Sequence, residues 1–198
     1  MEQAKMIRRL CADFYRRHDV VLIARELLGK VLCHETEAGI TKLMISETEA
    51  YAGITDRASH AYNGRRTPRT EVMYRGGGVA YVYLCYGIHH LFNVVTGVED
   101  VPDAVLVRGG QVVSGMEQAA ARLGRGILQP ADTIGPGRLS KAMGIHTGLS
   151  GTSLLSGPCW IEDHGVVVPE ADITVTPRIG VDYAGEDALR PFRFVVSL

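Results

Sequence analysis

The sequence predicts a single α+β domain, built on a curved, mainly antiparallel sheet with flanking helices. The chain has 198 residues, 46% of them apolar, which suits one hydrophobic core. Alternating segments of strand-forming residues recur from about residue 30 to the end, separated by glycine-containing turns. Helical spacing of apolar residues is confined to a few short segments. No repeat or linker divides residues 1–198, and about residues 1–18 are expected to form an N-terminal extension.

Composition limits the possible partners and the cellular location. The chain carries 21 basic and 22 acidic residues, so a nucleic-acid partner would have to be bound by a local patch. No apolar segment approaches the length of a membrane helix, about 18 residues, which predicts a soluble cytoplasmic protein without membrane contact. The four cysteines form no C-x-x-C pair and lie in apolar surroundings, so we expect reduced thiols in the core.

One predicted helix precedes a hairpin. Apolar residues recur at helical spacing from Val20 to Leu28, Asp19 can cap this helix, and Gly29 is suited to end it. Residues 30–34 and 41–51 then alternate as strands joined by a turn at Gly39.

The second strand of this hairpin ends in two carboxylates. Strict alternation places five of its side chains on one face: Leu43, Ile45, Glu47, Glu49 and Tyr51. Because unpaired buried charge is costly, a strand that becomes acidic on its apolar face would deliver carboxylates to the rim of a cleft. The alternative is that both glutamates pair with arginines at a solvated strand end.

Residues 52–78 have no periodicity and form a loop too long for a simple connection. Between residues 57 and 75 the loop carries five arginines against one glutamate, with tyrosines and a histidine between them. Exposed arginines beside aromatic rings suit a nucleic-acid backbone with stackable bases. The alternative is a solvated charged loop.

A second hairpin is predicted from strands at residues 79–86 and 90–96. Tyr81 and Tyr83 share one strand face, while Tyr86 can project from the tip. Three tyrosines in one hairpin are also compatible with simple core and edge packing. A further strand over residues 103–108 ends in Arg108, which we expect to face the same cleft as Glu49.

The remaining segments are predicted to be scaffold. Residues 114–123 and 136–143 have helical spacing, with Gly144 at the end of the second helix. Residues 180–187 form a turn-rich link. Three segments are strand-like: residues 154–161, 173–179 and 192–196.

Covalent and metal-dependent chemistry have little support in the sequence. The histidines, including the pair His89 and His90, are not at ligand spacing. No serine lies in a nucleophile elbow, and no cysteine has a context that would activate it. The main competing chemistry is phosphodiester hydrolysis by a divalent ion bound to Glu47, Glu49 and Asp56.

Several short motifs along the chain are specific in combination. They are Glu47-Thr48-Glu49-Ala50-Tyr51, His60, Arg66-Thr67-Pro68-Arg69, Tyr81-Val82-Tyr83, Tyr86-Gly87, Asn93, Gly135-Pro136-Gly137-Arg138-Leu139, Arg178-Ile179-Gly180-Val181 and Arg190-Pro191-Phe192-Arg193-Phe194. With these motifs the chain, from about Ala24 to its C-terminus, resembles the alkyladenine (3-methyladenine) DNA glycosylase family. The resemblance implies a mixed α/β domain with a protruding hairpin that enters the minor groove. It also implies hydrolysis of the N-glycosidic bond of a flipped, damaged purine, without a metal or other cofactor.

The resemblance assigns a role to individual residues. Glu49 is the general base that activates water, which Arg108 and the backbone carbonyl of Val181 help to hold. Tyr86 is inserted where the flipped nucleotide left the stack. The base pocket comprises Tyr51, His60, Tyr81, Tyr83 and Asn93, in which Tyr81 positions His60 and Asn93 disfavours the amino group of guanine. The DNA backbone is contacted by Arg65, Arg66, Thr67, Arg69 and Met73.

The implied partner is double-stranded DNA that contains damaged purines, bound by a monomer that is nucleoid-associated in a bacterium. The substrate class comprises alkylated or deaminated purines: 3-methyladenine, 7-methylguanine, hypoxanthine and ethenoadenine. Asp182 departs from the family pattern, since a small residue is expected after Val181. The alternative from a different functional class is a non-catalytic protein that recognises damaged or distorted DNA.

Overall fold

The computed structural model describes residues 7–197, whose strands pair into one nine-stranded antiparallel sheet. The strands are β1 (Arg8–Arg9), β2 (Val31–Thr36), β3 (Gly39–Tyr51), β4 (Val79–Cys85), β5 (His89–Thr96), β6 (Asp103–Ser114), β7 (Cys159–Asp163), β8 (Thr174–Thr176) and β9 (Arg193–Val195). The α-helices are α1 (Ala12–Tyr15), α2 (Val20–Glu26), α3 (Met116–Leu123) and α4 (Pro136–Met143). The predicted α+β class is confirmed.

The long strand β3 is the centre of the sheet. Its residues 39–44 pair with β2, and its residues 47–49 pair with β9 further along the same edge. Along the other edge, residues 42–51 pair with β6. The strands β5 and β4 continue the sheet beyond β6, and β7 and β1 continue it beyond β2. The C-terminal strand therefore lies directly beside the acidic end of β3.

The main core lies between one face of the sheet and the helices. Its buried side chains include Ile23 from α2 and Leu27 directly after that helix, Leu139 from α4, and Leu43 and Phe92 from the sheet. Full burial of a side chain of this size contributes about 1.5–3 kcal/mol. Because helices this short are marginal alone, their contact with the sheet holds them.

The helix ends follow local signals, with one exception. The Asp19 carboxylate accepts a hydrogen bond from a backbone N–H in the first turn of α2, and Gly29 follows that helix with a left-handed φ of +75°. Helix α3 begins at Met116 and not at Ser114, because β6 continues through Ser114 and Gly115 makes the turn. Within residues 7–197 no helix has the length and apolar character needed to cross a bilayer.

The C-terminal strands are shorter than predicted. The strand expected over residues 154–161 is limited to β7, because the Gly157 N–H donates to the Ser153 carbonyl in a turn. The strand expected over residues 173–179 is limited to β8, which ends before Pro177, a residue without a backbone donor.

The N-terminal segment, where it is described, is part of the sheet. Arg8 and Arg9 pair with β7, and Tyr15 is fully buried in the main core. The Tyr15 carbonyl accepts a hydrogen bond of 2.9 Å from the Gly97 N–H. The expectation of an extension over residues 1–18 is therefore wrong from residue 8 onward, and residues 1–6 lie outside the described range.

Two facing bulges change the predicted alternation of β3. The pairing with β6 skips Ser46 on one strand and Arg108 on the other, so the register shifts on both sides of Glu47. A bulge of one residue moves the following side chains to the opposite face. The two bulges, one in each strand, therefore switch which side chains face the core at the same point of β3 and of β6.

The reversal places the carboxylates on the face opposite the main core. Ile45 and Ala50 are an odd number of positions apart, yet both lie in the main core with Leu43. Glu47 and Glu49 consequently point the other way. The prediction of one shared face is wrong for the set Leu43, Ile45, Glu47, Glu49 and Tyr51.

The four cysteines are free thiols. Cys33 and Cys159 are buried, as predicted. Cys11 is exposed and Cys85 is half-buried, so the prediction of core thiols is wrong for these two.

Candidate active site

A cavity of about 540 Å³ lies on the face of β4, β5 and β6 that points away from the main core. Along β6, Val105 points into the core, whereas Leu106 and Arg108 line the cavity. Side chains from residues 58–73 and 179–183 complete the walls together with the start of α4. The long loop, the last turn-rich segment and the sheet therefore meet at one site.

Glu49 is fully buried directly behind the cavity wall. Its Oε2 accepts a hydrogen bond of 2.8 Å from the Tyr51 hydroxyl, and its Oε1 accepts one of 2.9 Å from the Ile179 N–H. Arg108 Nε lies 3.6 Å from the same Oε1. All three partners line the cavity.

The buried position of Glu49 determines its proton affinity. Burial and, less strongly, the Glu47 charge raise the pKa of the Glu49 carboxyl, whereas the Ile179 N–H, the Arg108 charge and the Tyr51 hydroxyl each lower it. Glu49 is therefore a stronger base than a solvated glutamate. Its fixed donors limit the rise in pKa and favour the carboxylate form.

Glu47 forms shorter ion pairs with arginine than Glu49 does. Its Oε1 accepts from Arg108 Nε at 2.7 Å and from Arg193 Nε at 2.6 Å. The alternative of glutamate–arginine pairing is right for Glu47, although Glu47 is buried and its arginine partners are half-buried, not at a solvated strand end. Arg108 lines the cavity, as predicted, and Glu49 lies behind the wall within 3.6 Å of it. The terminal nitrogens of Arg108 have no hydrogen-bond acceptor among residues 7–197.

Asp56 forms a separate buried ion pair with Arg178. Neither side chain is exposed, and Arg178 Nη2 lies 2.9 Å from Asp56 Oδ1. Two backbone N–H groups of the loop, those of Ala52 and Ala58, also donate to this carboxylate. Asp56 therefore does not converge with the two glutamates of β3, and the cluster expected for a metal-dependent nuclease is not formed. Within residues 7–197 no three His, Cys, Asp or Glu side chains are grouped to hold a metal ion.

His60 and two tyrosines of β4 form an aromatic wall. Tyr81 and Tyr83 share one face of the strand, as predicted, and their ring centroids are 5.6 Å apart. His60 packs edge-on against Tyr83 at 4.6 Å, and its Nδ1 lies 2.9 Å from the Tyr81 hydroxyl. Burial and the charges of Arg69 and Arg65 lower the pKa of His60 to about 4. The imidazole is therefore neutral near pH 7.

Asn93 lies opposite Tyr81 in the pair of β4 and β5. Its Nδ2 donates to the carbonyls of Tyr81 and Leu91 at 3.1 and 3.3 Å, which fixes the buried amide against the sheet. All five residues predicted for the base pocket line the same cavity: Tyr51, His60, Tyr81, Tyr83 and Asn93.

Met73 is predicted to contact the DNA backbone. Its side chain is only 2% exposed and packs with Tyr81 and Val95 at the cavity wall. The contact of Met73 with the DNA backbone stays a prediction, and its buried side chain leaves only the main chain of this residue to make it.

The predicted second hairpin is formed by β4 and β5, with Tyr86 at its tip. Tyr86 is 89% exposed and has φ of +51°, a conformation uncommon for a residue with a side chain of this size. Ile88, two residues on, is 71% exposed. The tip therefore presents apolar side chains beside the cavity, which Tyr86 also lines.

Only part of the charge of the basic loop is free. Arg66 pairs with Glu71 at 2.7 Å and Asp100 at 2.9 Å. Arg65 and Arg69 are exposed and have no ion-pair partner within residues 7–197. Arg66 thus holds this part of the loop, whereas Arg65 and Arg69 are exposed to solvent.

Thr67 is half-buried and closes a turn of the same loop. Its N–H donates to Thr70 Oγ1 at 2.8 Å, and the two hydroxyls are 3.2 Å apart. The turn fixes the backbone between Arg65 and Arg69.

Val181 lines the cavity and packs against Ala58 and Ala184. Its carbonyl accepts a hydrogen bond of 2.8 Å from the Ala184 N–H, which leaves one lone pair for another donor. Asp182 is exposed at the start of a 3₁₀-helix and is not part of the cavity wall. The residue that departs from the family pattern is therefore outside the cavity wall. Tyr183, which the sequence did not single out, lines the cavity and donates to the Ala58 carbonyl at 3.1 Å.

The start of α4 is a cavity wall, although the sequence assigned this helix to the scaffold. Gly137 and Arg138 both line the cavity. A Cβ on Gly137 would lie 2.8 Å from His89 Nδ1, so glycine allows the helix to approach the hairpin. Helical spacing alone gives no information about which helix end meets a cavity. In the sequence, only the motif over residues 135–139 indicates that the start of α4 belongs to the site.

Comparison with known proteins identifies the family of the chain. A family model described as methylpurine-DNA glycosylase (MPG) matches residues 13–198. A protein of Desulfitobacterium hafniense named 3-methyladenine DNA glycosylase is 41% identical over 198 residues, covering 96% of each chain. A protein of Methanocella arvoryzae with the same name is 44% identical over 183 residues, covering 92% of this chain and 89% of its own. The similarity spans almost the whole chain, and on this basis the protein belongs to the methylpurine-DNA glycosylase family.

Proposed function

We propose that the protein is a monofunctional DNA glycosylase that hydrolyses the N-glycosidic bond of a damaged purine flipped out of duplex DNA. The observation that carries the proposal is the position of Glu49, buried behind a cavity whose walls supply all three of its partners. The family model matches residues 13–198, and relatives named 3-methyladenine DNA glycosylase match nearly the whole chain. The substrate class comprises alkylated and deaminated purines.

In the proposed reaction Glu49 acts as the general base. Its carboxylate takes a proton from water while the water oxygen bonds to the anomeric carbon and the bond from that carbon to the base nitrogen breaks. The electron pair of the broken bond leaves with the base. The free terminal nitrogens of Arg108 and the remaining lone pair of the Val181 carbonyl are suited to orient the water. The charge of Glu49 also stabilises the positive charge that develops on the sugar.

The aromatic wall favours a cationic base. Alkylation at N3 or N7 makes a purine positive, and the faces of Tyr51, Tyr83 and neutral His60 attract such a ring. Contacts of this kind contribute about 0.5–2 kcal/mol. A cationic base becomes neutral when it leaves, so the reaction needs no proton donor. A neutral lesion such as hypoxanthine would have to be protonated first.

The exposed surface around the cavity suits duplex DNA. Extruding a nucleotide costs a few kcal/mol, less for a damaged base that pairs poorly. In the proposed complex Tyr86 fills the gap left in the stack, while Arg65 and Arg69 neutralise phosphates.

An excision assay over a panel of lesion duplexes tests the proposal. Duplexes that contain 3-methyladenine, 7-methylguanine, hypoxanthine or ethenoadenine are incubated with excess protein, and abasic sites are counted. Release of a free base from at least one lesion and not from undamaged DNA is expected. Lesion-selective binding without release over the whole panel would instead indicate a non-catalytic recognition protein.

A further inference from the structure

The guanidinium of Arg178 joins separate segments of the chain beneath the cavity. It pairs with Asp56 through both terminal nitrogens. Nη1 also donates to the Ala50 carbonyl at 2.9 Å, and Nη2 donates to the Asp187 carbonyl at 3.0 Å. Arg178 therefore ties the end of β3, the long loop and the final 3₁₀-helix together, although it does not line the cavity itself.

Arg178 also packs on an aromatic partner of Glu49. The centre of the guanidinium lies 4.8 Å from the Tyr51 ring and 5.4 Å from the ring of Phe192. The Tyr51 hydroxyl is the donor to Glu49 Oε2. The stacked guanidinium thus restricts the ring that carries this donor.

The second uncharged donor to Glu49 is the backbone N–H of the residue that follows Arg178. Ile179 follows Arg178 directly, and its N–H donates to Glu49 Oε1 at 2.9 Å. The direction of this N–H depends on the peptide plane that Ile179 shares with Arg178. The buried side-chain contacts of Arg178 restrain that peptide.

We propose that Arg178 is a positioning residue that sets the proton affinity of Glu49 by holding the Tyr51 hydroxyl and the Ile179 N–H in place. The inference rests on the proposed role of Glu49 as general base. Two charged groups also face Glu49: Arg108 favours its carboxylate form and Glu47 opposes it. Both uncharged donors stabilise the carboxylate, so loosening either one favours the protonated acid, which cannot activate water.

The geometry requires arginine and not a positive charge alone. A planar guanidinium can meet both oxygens of Asp56, two carbonyls and two ring faces at once, whereas a lysine ammonium is a point charge on a flexible stem. Arg178→Lys therefore keeps the charge beside Asp56 and removes the fork that orders the surrounding segments.

The test compares the pKa of Glu49 in wild type and in Arg178→Lys, measured in the full-length protein by NMR of the side-chain carboxyl carbon. Glu49→Gln identifies the resonance. We expect the Glu49 pKa to rise in Arg178→Lys, and the acidic limb of the single-turnover excision rate to move to higher pH by the same amount. At a pH below the pKa, a tenfold gain in the proton affinity of Glu49 lowers its ionised fraction about tenfold.

Two further variants separate positioning from general loss of structure. Asp56→Asn combined with Arg178→Met removes both buried charges together, which costs less than leaving one unpaired, and should raise the Glu49 pKa in the same direction. Arg122→Lys alters a half-buried arginine that holds Thr36, Thr41 and the Ala142 carbonyl away from the site. It should lower the melting temperature and leave the pKa of Glu49 unchanged.

The outcomes distinguish this inference from the proposed function. A Glu49 pKa equal to that of wild type in both Arg178 variants would overturn the positioning role, whatever their melting temperatures. A wild-type protein that excises no lesion would contradict the glycosylase proposal instead, and the carboxyl titration would still decide the role of Arg178.

Discussion

The hydroxyl of Tyr51 donates a hydrogen bond of 2.8 Å to the carboxylate of Glu49, two residues earlier on the same strand. Both side chains lie on the face that the paired bulges turn away from the main core. Burial and the neighbouring Glu49 charge raise the pKa of Tyr51 well above its ordinary value, so the phenol keeps its proton and remains a donor.

Replacing Tyr51 by Phe should make Glu49 harder to ionise. The hydroxyl lowers the pKa of Glu49, so its loss raises that pKa further and moves the acidic limb of the excision rate to higher pH. At a pH above the acidic limbs of both wild type and Tyr51→Phe, the excision rates of the two proteins should differ by much less. Single-turnover rates between about pH 4 and pH 9 measure the change, and an unmoved limb would show that Tyr51 does not act on Glu49.

The stability of the protein should depend on His60 in mild acid. The ordinary pKa is 6.5 and the folded value is about 4, so between these values the unfolded chain binds a proton that the folded protein does not. Stability is therefore lost as the pH falls through this range. His60→Gln removes this loss. The urea midpoint of His60→Gln minus that of wild type should therefore grow as the pH is lowered from 7.5 to 5. A constant difference between the two proteins would contradict the buried, neutral imidazole.

Tyr86→Ala should separate DNA binding from stability. The side chain is 89% exposed, so its loss should leave the melting temperature nearly unchanged. Lesion-specific binding should weaken, because nothing fills the gap in the base stack. Tyr81→Ala is the matched comparison within the same hairpin, since that ring is buried and its loss should cost about 3–5 kcal/mol of stability. A large fall in melting temperature for Tyr86→Ala would mark Tyr86 as a structural ring.

The arginines of the basic loop should differ in their effect on salt dependence. Arg69 is exposed without an ion-pair partner in the described residues, so Arg69→Ala should reduce the log–log salt slope of duplex binding by about 0.9. Arg66 is already paired with Glu71 and Asp100, so Arg66→Ala should change the slope less. Equal slopes for wild type and Arg69→Ala would show that this loop is merely solvated.

Much of the fold follows from local signals in the sequence. The hairpin of β4 and β5, the cap of α2 at Asp19 and the start of α4 at Pro136 depend on residues close together in the chain. Such features are specified by alternation, capping side chains and turn residues. They were predicted within a few residues of their observed bounds.

The features that were mispredicted or missed depend on contacts between distant segments. The bulge at Ser46 exists only in the pairing with β6, and nothing in the local alternation of β3 marks it. The burial of Met73 depends on packing against β4 and β5. The clamp of Asp56 by Arg178 joins two loops, each of which carries only a common charged residue in sequence.

The combined motifs indicate the site more clearly than periodicity does. Alternation suggested that Glu49 and Arg108 meet at a cleft, and they do, but for a different geometric reason than the one predicted. Buried donors such as the Ile179 N–H cannot be recognised from residue type, because every residue other than proline carries one.

The most direct test is a comparison of Glu49→Gln with wild type in single-turnover excision and in a binding titration with the same lesion duplex. The substitution keeps the shape of the side chain and removes its basicity and charge. Loss of a general base costs about 10²–10⁴-fold in rate, so excision should collapse. Affinity should persist, because Tyr51, His60, Tyr83 and Tyr86 are unchanged. Comparable excision rates for Glu49→Gln and wild type would contradict the role of Glu49 as the base that activates water.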